Sequence, residues 1–253
     1  MRAVIIPNDP IKAYLKKGEM IERYFNPENI FDRIDIVSLA DSDVEPASVQ
    51  HLAGKARLNI QPVGRISLLR ALFPGTYVRR ITRAVDVMGA DVIIAHNSNV
   101  AGFVAARLGK MFRIPVVICM HTNPDKDIRA HISWKDIKRK LFWLYSSVLL
   151  ENYALKYSSK VICAYNFITS YLISRGVEPG RIKVIYHRID VEKFKRRSDL
   201  TGPKSNEKLR ILCVGRVFER KNPENIIRAI KNLNAHLTII GDGNLLPGLI
   251  KLS

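Results

Sequence analysis

The sequence has few cysteines, no long apolar run and a shortage of acidic residues. Its three cysteines, Cys119, Cys163 and Cys213, each lie in an apolar run and form no CxxC or Cys/His cluster, so we expect buried, reduced thiols and no structural zinc. No stretch approaches the roughly 18 apolar residues that a membrane-spanning helix needs, and the N-terminal apolar run is too short for a signal peptide. The sequence therefore favours a cytoplasmic protein.

The shortage of acidic residues leaves 41 Lys and Arg against 23 Asp and Glu, a net charge of +18. Such an excess predicts an anionic partner: nucleic acid, acidic lipid headgroups or a phosphorylated small molecule. The sequence contains no basic–aromatic repeat, helix-turn-helix pattern or zinc module, which argues against nucleic acid. No GxGxxG follows a strand, which argues against a nicotinamide-dependent dehydrogenase.

Apolar residues make up 47% and charged residues 25% of the chain, as in ordinary globular proteins. Val/Ile runs alternate with helical patterns, which is typical of a parallel sheet covered by helices on both faces. We therefore predict a doubly wound, Rossmann-like α/β fold. The predicted strands are Ala3–Pro7, Ile34–Leu39, Arg57–Ile60, Asp91–His96, Pro115–His121, Lys160–Ala164, Lys183–Tyr186, Leu209–Gly215 and His236–Gly241. The predicted helices are Val78–Met88, Val100–Phe112, Asp136–Tyr157, Phe167–Arg175 and Pro223–Leu233.

A polar, Gly/Pro-containing stretch, KRRSDLTGPKSNEK, divides the chain. We predict a first domain over 1–195, a linker over 196–208 and a second segment over 209–253. The second segment holds one βαβ unit, and segments of about 40–50 residues rarely fold alone. We therefore expect the chain to be truncated within its second domain; the alternative is that this segment packs on the first domain or on a partner.

In the predicted helix Asp136–Tyr157, apolar residues cover most of the circumference between Leu141 and Leu150. The cations before that stretch are Lys135, Lys138, Arg139 and Lys140. One interpretation is a core helix with a solvated basic end. The other is an interfacial helix on an anionic membrane, which would make the protein peripheral on the cytoplasmic membrane face.

The most specific motif lies in the second segment. Gly215-Arg216 follows a buried strand, Lys221 comes five residues later, and a second strand closes with Gly241-Asp242-Gly243. This pattern, VGR-x4-K followed by IIGDG, resembles the group 1 glycosyltransferase family of the GT-B fold. Together with IPVVICMHT and VICAYNFITSYLISRGVEPGRIKVIYHRIDVEKF in the first domain, the resemblance spans about Ala90–Leu249. It implies a retaining enzyme that transfers a hexose from a nucleotide-sugar donor to an acceptor, a glycan or lipid-linked glycan, without a cofactor.

The chemistry of such a transfer explains the two cations. A departing nucleoside diphosphate develops negative charge, which an Arg fork and a Lys point charge stabilise. By resemblance, Arg216 and Lys221 bind the donor diphosphate, and Gly215, Gly241, Asp242 and Gly243 lie near it or its nucleoside. The alternatives are a solvated basic loop and a simple strand-ending turn. With two cations present, no metal is expected. Asp41-Ser42-Asp43 imitates a DxD metal motif but is interpreted as a polar loop.

Candidate residues in the first domain follow strand ends. His121 ends the strand PVVICM, and the resemblance implies a catalytic role for it beside the donor sugar; Thr122, Asn123 and Asp125 follow. His96-Asn97 ends another strand and is assigned to acceptor binding. Lys17-Gly18 is a candidate for acceptor or donor phosphate binding. The alternatives are a capping or core-edge histidine for His121 and a solvated turn for Lys17-Gly18.

The sequence departs from the family at three places. Pro7-Asn8-Asp9-Pro10 replaces a glycine-rich loop, and Tyr186-His187-Arg188 stands where the family usually has Pro-Asn-Gly, although Asp190 and Phe194 keep the expected spacing. The family's later motif of two Glu eight residues apart does not occur. We therefore expect little or no activity from this chain alone. A second hypothesis is a non-catalytic, acceptor- or membrane-binding subunit whose partner chain completes the donor domain.

Overall fold

The computed structural model describes residues 1–18, 20–66, 73, 76–122, 144–187, 189, 191–194 and 208–251. The chain forms two compact units, Met1–Arg188 and Ile189–Ser253. Several features named from the sequence lie outside the described residues: Asn123, Asp125, Asp190, the basic start of the long helix, and residues 196–207 of the predicted linker.

The first unit is built on a seven-stranded sheet with the order β3-β2-β1-β4-β5-β6-β7. All neighbouring strands are parallel, which confirms the predicted fold class. The strands are β1 (Arg2–Ile6), β2 (Arg33–Ser38), β3 (Arg57–Pro62), β4 (Val92–His96), β5 (Val116–Met120), β6 (Lys160–Cys163) and β7 (Ile182–Val184).

Helices cover both faces of this sheet. They are α1 (Ile11–Lys17), α2 (Val78–Ala84), α3 (Val100–Phe112), α4 (Asn152–Tyr157) and α5 (Phe167–Ser174), with 3₁₀ segments at Pro46–Ala53 and Pro179–Arg181. A π-helical segment, Ser146–Glu151, leads directly into α4. The sequence analysis missed α1 and the 3₁₀ segment Pro46–Ala53, both of which are short.

The side chains of β1 show why the sheet has two cores. Val4 and Ile6 pack into one cluster with residues of α2 and α3, whereas Ala3 and Ile5 pack into a second cluster on the opposite face. Because successive side chains of a strand point to opposite faces, a strand buried on both sides must be apolar throughout. The continuous Val/Ile runs therefore place the sheet in the middle of the unit.

The second unit contains a βαβ element. Its strands, β8 (Leu209–Val214) and β9 (Ala235–Ile240), are parallel. A 3₁₀ turn (Glu219–Lys221) and α6 (Pro223–Ile230) connect them, α7 (Leu246–Ile250) follows, and a further 3₁₀ segment, Val191–Phe194, comes first. Leu212, Val214 and Ile240 are 54–68% exposed on one face of the pair. No helix in the described part of the chain has the length and apolarity needed to span a bilayer.

Candidate active site

A cavity of about 450 Å³ lies at the carboxyl ends of β1, β4 and β5. Strand β1 has β2 on one side and β4 on the other, so the order in which successive strands are added to the sheet reverses there. Proteins of the α/β class bind ligands at such a switch point. We call this space the switch-point cavity. Its lining residues are Asn8, Asp9, Tyr14, Lys17, Tyr24, His96, Asn97, Met120, His121, Thr122 and His187.

The turn after β4 presents His96 and Asn97 to the cavity. Asn97 has a φ of 104°, an unusual value for a residue other than glycine. Its backbone N–H donates to the Cys119 carbonyl at 2.9 Å, and its side-chain oxygen accepts from the Asn99 N–H at 3.1 Å. A Cβ on Gly102 would lie 2.6 Å from the Asn97 carbonyl oxygen. The turn is therefore held from both sides, which fixes the Asn97 amide at the cavity wall.

The buried carboxylate of Glu151 is hydrogen-bonded to the turn that contains His96 and Asn97. Glu151, at the end of the π-helical segment, is fully buried and accepts a hydrogen bond from the Ser98 hydroxyl at 2.6 Å. It also accepts from the Tyr171 hydroxyl and pairs with Arg175 at 3.2 Å. Segments of π-helix occur frequently at functional sites. The sequence analysis missed Glu151, for which the one signal is an acidic residue within an otherwise apolar helical stretch.

Three imidazole rings stand side by side at the ends of β4, β5 and β7. The His96 and His121 ring centroids are 5.9 Å apart at 69°, and those of His121 and His187 are 5.2 Å apart at 7°. The Phe25 ring centroid lies 5.9 Å from that of His96, and the Tyr165 ring centroid lies 5.6 Å from that of His187. We call His96, His121 and His187 the histidine row. The sequence analysis treated His187 as a departure from a family motif and did not predict its place in the cavity.

The surroundings of His96 and His121 favour uncharged rings. Burial, and then the proximity of His121, lower the pKa of His96 to about 4. The pKa of His121 is also lowered, first by loss of hydration and then by His187. No described residue forms a hydrogen bond to these three rings. Near neutral pH, His96 and His121 can therefore each offer one donor and one acceptor nitrogen to a ligand.

Lys17 lines the switch-point cavity, whereas the adjacent Gly18 does not. The Lys17 ammonium lies in the cavity wall, 3.2 Å from the Asp9 carboxylate. Gly18 ends α1 in the left-handed conformation, with a φ of 65°, and does not line the cavity. The positive φ explains the glycine without a ligand. Burial raises the pKa of the neighbouring Tyr14 to about 12.

The Asp41-Ser42-Asp43 loop has a structural role. Both oxygens of Asp43 accept hydrogen bonds at 2.9 Å from the backbone N–H groups of Ile11 and Lys12, at the start of α1. A carboxylate in this position satisfies N–H groups that the helix itself leaves unpaired. Among the described residues, no group of three His, Cys, Asp or Glu side chains is arranged to hold a metal ion.

In the second unit, the loops after β8 and β9 lie against each other. The Val217 N–H donates to the Asp242 carbonyl at 2.8 Å, and the Gly215 N–H donates to the Ile240 carbonyl at 3.0 Å. A Cβ on Gly241 would overlap the Gly215 carbonyl, and one on Gly243 would overlap the Val217 carbonyl. Close contact between the loops is thus sufficient to explain both glycines.

Arg216 and Lys221 flank these paired loops. Arg216 directly follows the carboxyl end of β8, and its guanidinium lies 5.0 Å from the centre of the Phe218 ring. Lys221 ends the 3₁₀ turn before α6. Both side chains are exposed, and neither forms an ion pair with a residue that the structure describes. Asp242 is also exposed, and its carboxylate accepts from the Gly243 N–H at 2.7 Å.

Comparisons with known proteins agree on the class of this chain. Its residues 32–193 match the model of Glycosyltransferase Family 4. An uncharacterized glycosyltransferase of Methanocaldococcus jannaschii is 27% identical over 161 residues, 64% of this chain and 39% of that protein. The structure of Anabaena HepE in complex with UDP aligns with a TM-score of 0.62 and 19% identity, covering 100% of this chain and 64% of HepE.

A second solved structure shares the fold at lower identity. It is the UDP-GlcNAc 2-epimerase of Neisseria meningitidis bound to UDP-GlcNAc, with a TM-score of 0.53 and 12% identity, covering 100% of this chain and 68% of the epimerase. These structural likenesses establish the Rossmann-like α/β fold of GT-B proteins. Because the family model matches well over half of the sequence, the chain belongs to Glycosyltransferase Family 4.

Proposed function

We propose that this chain forms part of a retaining, metal-independent glycosyltransferase that moves a sugar from a nucleoside diphosphate donor to a glycan or lipid-linked glycan. The observation that carries the donor half of the proposal is the pair Arg216 and Lys221. Both are exposed and free of described ion pairs beside the carboxyl end of β8. Carboxyl ends of parallel strands are the usual ligand edge of such sheets.

The proposed donor chemistry follows from charge. As the bond to the sugar breaks, negative charge grows on the leaving phosphate oxygen, and preorganised cations stabilise it. Arg216 supplies a bidentate fork and Lys221 a mobile point charge. These two cations take the place of a metal ion. Gly215 and the Gly241-Asp242-Gly243 loop would then lie near the diphosphate and nucleoside.

The proposed acceptor half uses the switch-point cavity. His121 orients the reacting hydroxyl or the donor sugar, and His96, Asn97 and Lys17 bind the acceptor. Sugar hydroxyls both donate and accept hydrogen bonds, and uncharged imidazoles, amides and the Asp9 carboxylate match them. HepE was solved with UDP and UDP-glucose, which makes UDP the first nucleotide to test.

Isothermal titration calorimetry with UDP and GDP tests the donor site. We expect binding by the wild-type chain and its loss in both Arg216→Ala and Lys221→Ala. A charged hydrogen bond contributes about 1.5–3 kcal/mol, or about 10–150-fold in affinity. Arg210→Ala is the matched control, because Arg210 is an exposed cation near the opposite end of β8. Unchanged binding by both site variants would remove the donor assignment.

Transfer activity by the 253-residue chain alone is a separate prediction. The chain spans 64% of HepE and 39% of the Methanocaldococcus relative. We propose that the chain in isolation shows little or no transfer. Under the alternative hypothesis of a two-chain enzyme, activity appears only after a partner chain is added. Robust sugar transfer by the purified chain would contradict both expectations.

A specific surface supports a second role, attachment to an anionic membrane. Leu144, Val148 and Leu149 are 44–51% exposed on the helix that leads into α4, and Lys156 is exposed farther along it. Exposed apolar side chains on a helix that also carries an exposed lysine suit an interfacial helix. Co-sedimentation with vesicles containing anionic lipid, compared with zwitterionic vesicles, tests this role. Val148→Asp should weaken the binding, and equal binding to both kinds of vesicle would contradict it.

A further inference from the structure

We propose that His187 is a positioning residue that keeps His121 uncharged and fixes its ring at the switch-point cavity, so that His121 meets a substrate hydroxyl as a neutral hydrogen-bond partner. The proposal rests on the proposed function for the role of His121. It concerns the first unit alone and can be tested without transfer activity.

The geometry holds the His121 ring between two others. The His187 ring lies parallel to it at 5.2 Å and 7°, while His96 meets it from another direction at 5.9 Å and 69°. The His187 ring is itself held by the edge of Tyr165 at 5.6 Å and 70°. Rotation of His121 about its side-chain bonds would break the parallel contact. The ring orientation is therefore set by the end of β7 as well as by β5.

Electrostatics gives the stacked pair a functional consequence. Two parallel rings at this separation repel if both are protonated, so a proton on one disfavours a proton on the other. The lowered pKa of His121 has this contribution from His187, after loss of hydration. His121 and His187 both line the switch-point cavity, where a ligand can reach them.

Among the residues that the structure describes around the pair, none carries an unpaired negative charge that would offset this repulsion. Asp9 is the one carboxylate among the described cavity-lining residues, and Lys17 pairs with it at 3.2 Å. Burial raises the pKa of the Cys119 thiol to about 11 and that of Tyr14 to about 12. The titratable groups that face the pair from the surrounding segments are Asp9, Tyr14, Lys17, Tyr24, His96, Cys119, Tyr165 and Tyr186.

The neutral state matters because only a neutral imidazole has an acceptor nitrogen. Such a ring can accept the proton of a sugar hydroxyl and orient its oxygen, whereas an imidazolium can only donate. Acidification through the pKa of His121 should therefore remove this contact. By lowering that pKa, His187 extends the range in which His121 can accept.

Nuclear magnetic resonance titration of the histidine ring protons in the full 253-residue chain tests the proposal. In the wild type, we expect the midpoint of the His121 curve to lie below the ordinary value for histidine, because the stacked His187 ring disfavours a proton on His121. In His187→Phe, which keeps a stacked ring without a charge, we expect a higher midpoint for His121. In His187→Ala, which also restores hydration, we expect a larger increase. His51→Phe, at an exposed histidine outside the cavity, is the matched control and should leave the His121 curve unchanged.

The possible results distinguish a failure of the proposed role of His187 from a failure of the proposed glycosyltransferase function. An unchanged His121 midpoint in a folded His187→Phe or His187→Ala chain would overturn the role of His187. The titration of the histidine ring protons uses no nucleotide, so its result does not depend on whether the chain binds UDP. Where transfer can be measured, the acid limb of the rate profile should move to higher pH in both variants, with a larger effect on kcat than on KM.

Discussion

Replacing Glu151 tests whether the buried network beneath the Asn97 turn stabilises the first unit. Its carboxylate accepts from the hydroxyls of Ser98 and Tyr171 and pairs with Arg175. Glu151→Ala leaves two buried hydroxyls and a guanidinium without this partner, and opens a cavity. Glu151→Gln keeps the shape and the means to bond both hydroxyls but removes the charge that faces Arg175.

The expected magnitudes follow from burial. Breaking a buried ion pair by removing one partner costs about 3–5 kcal/mol. Because the Arg175 side chain is 20% exposed and Glu151 is fully buried, we take the lower end, about 3 kcal/mol for Glu151→Ala. Glu151→Gln loses one charged hydrogen bond, about 1.5–3 kcal/mol. For a unit of this size, about 3 kcal/mol corresponds to a decrease in Tm of roughly 6–12 °C.

Thermal unfolding followed by circular dichroism measures these changes. Glu178→Ala is the control, because Glu178 is exposed and substitutions at such positions usually change stability by less than about 0.5 kcal/mol. A decrease in Tm below about 2 °C for Glu151→Ala would show that water replaces the carboxylate without cost. The network would then not stabilise the turn at the cavity wall.

Three further predictions concern separate features. Gly243→Ala should destabilise the second unit by about 1–3 kcal/mol because its Cβ overlaps the facing backbone, whereas Gly248→Ala, with open space around it, should be neutral or stabilising in chemical denaturation. Asp43→Ala removes the cap of α1 and should cost about 0.5–2 kcal/mol in the same assay, with no response to added Mg²⁺ or Mn²⁺ in either chain. Because the folded pKa of His96 is about 4 against an ordinary 6.5, the unfolded chain binds more protons between these values. Stability should therefore fall by up to about 3 kcal/mol as the pH decreases through this window, and His96→Phe should lose this acid sensitivity when denaturation at pH 7.5 and 4.5 is compared.

The strands could be predicted from the sequence because burial on both faces requires continuous apolar runs. All nine predicted strands are present, and α3 begins and ends at the predicted residues, Val100 and Phe112. Pattern recognition failed where elements are short. Helix α1 has seven residues, of which one is buried, and its start is fixed by Asp43, which lies 31 or more residues away in sequence.

The candidate site was only partly predictable for a similar reason. His96, Asn97 and His121 follow apolar strands, so their place at the sheet edge follows from the strand prediction. His187 joins them through the pairing of β6 with β7, and Glu151 reaches Ser98 across 53 residues. Contacts of this kind depend on tertiary structure and leave no local pattern. The sequence shows the glycines at 241 and 243 as a motif. It does not show that the backbone of Gly215 and Val217 lies against them and leaves no room for a side chain.

The positions of the charges divide the proposed reaction between the two units. The chain carries a net charge of +18, yet the charged side chains that line the switch-point cavity, Asp9 and Lys17, neutralise each other, and the pKa values of His96 and His121 are lowered. The cavity is thus suited to hydroxyl groups, whereas Arg216 and Lys221, which form no ion pair with a described residue, suit a phosphate. If the acceptor carries a phosphate, as a lipid-linked glycan would, that phosphate should lie outside the cavity. An uncharged sugar and its phosphorylated form should therefore bind the first unit with similar affinity.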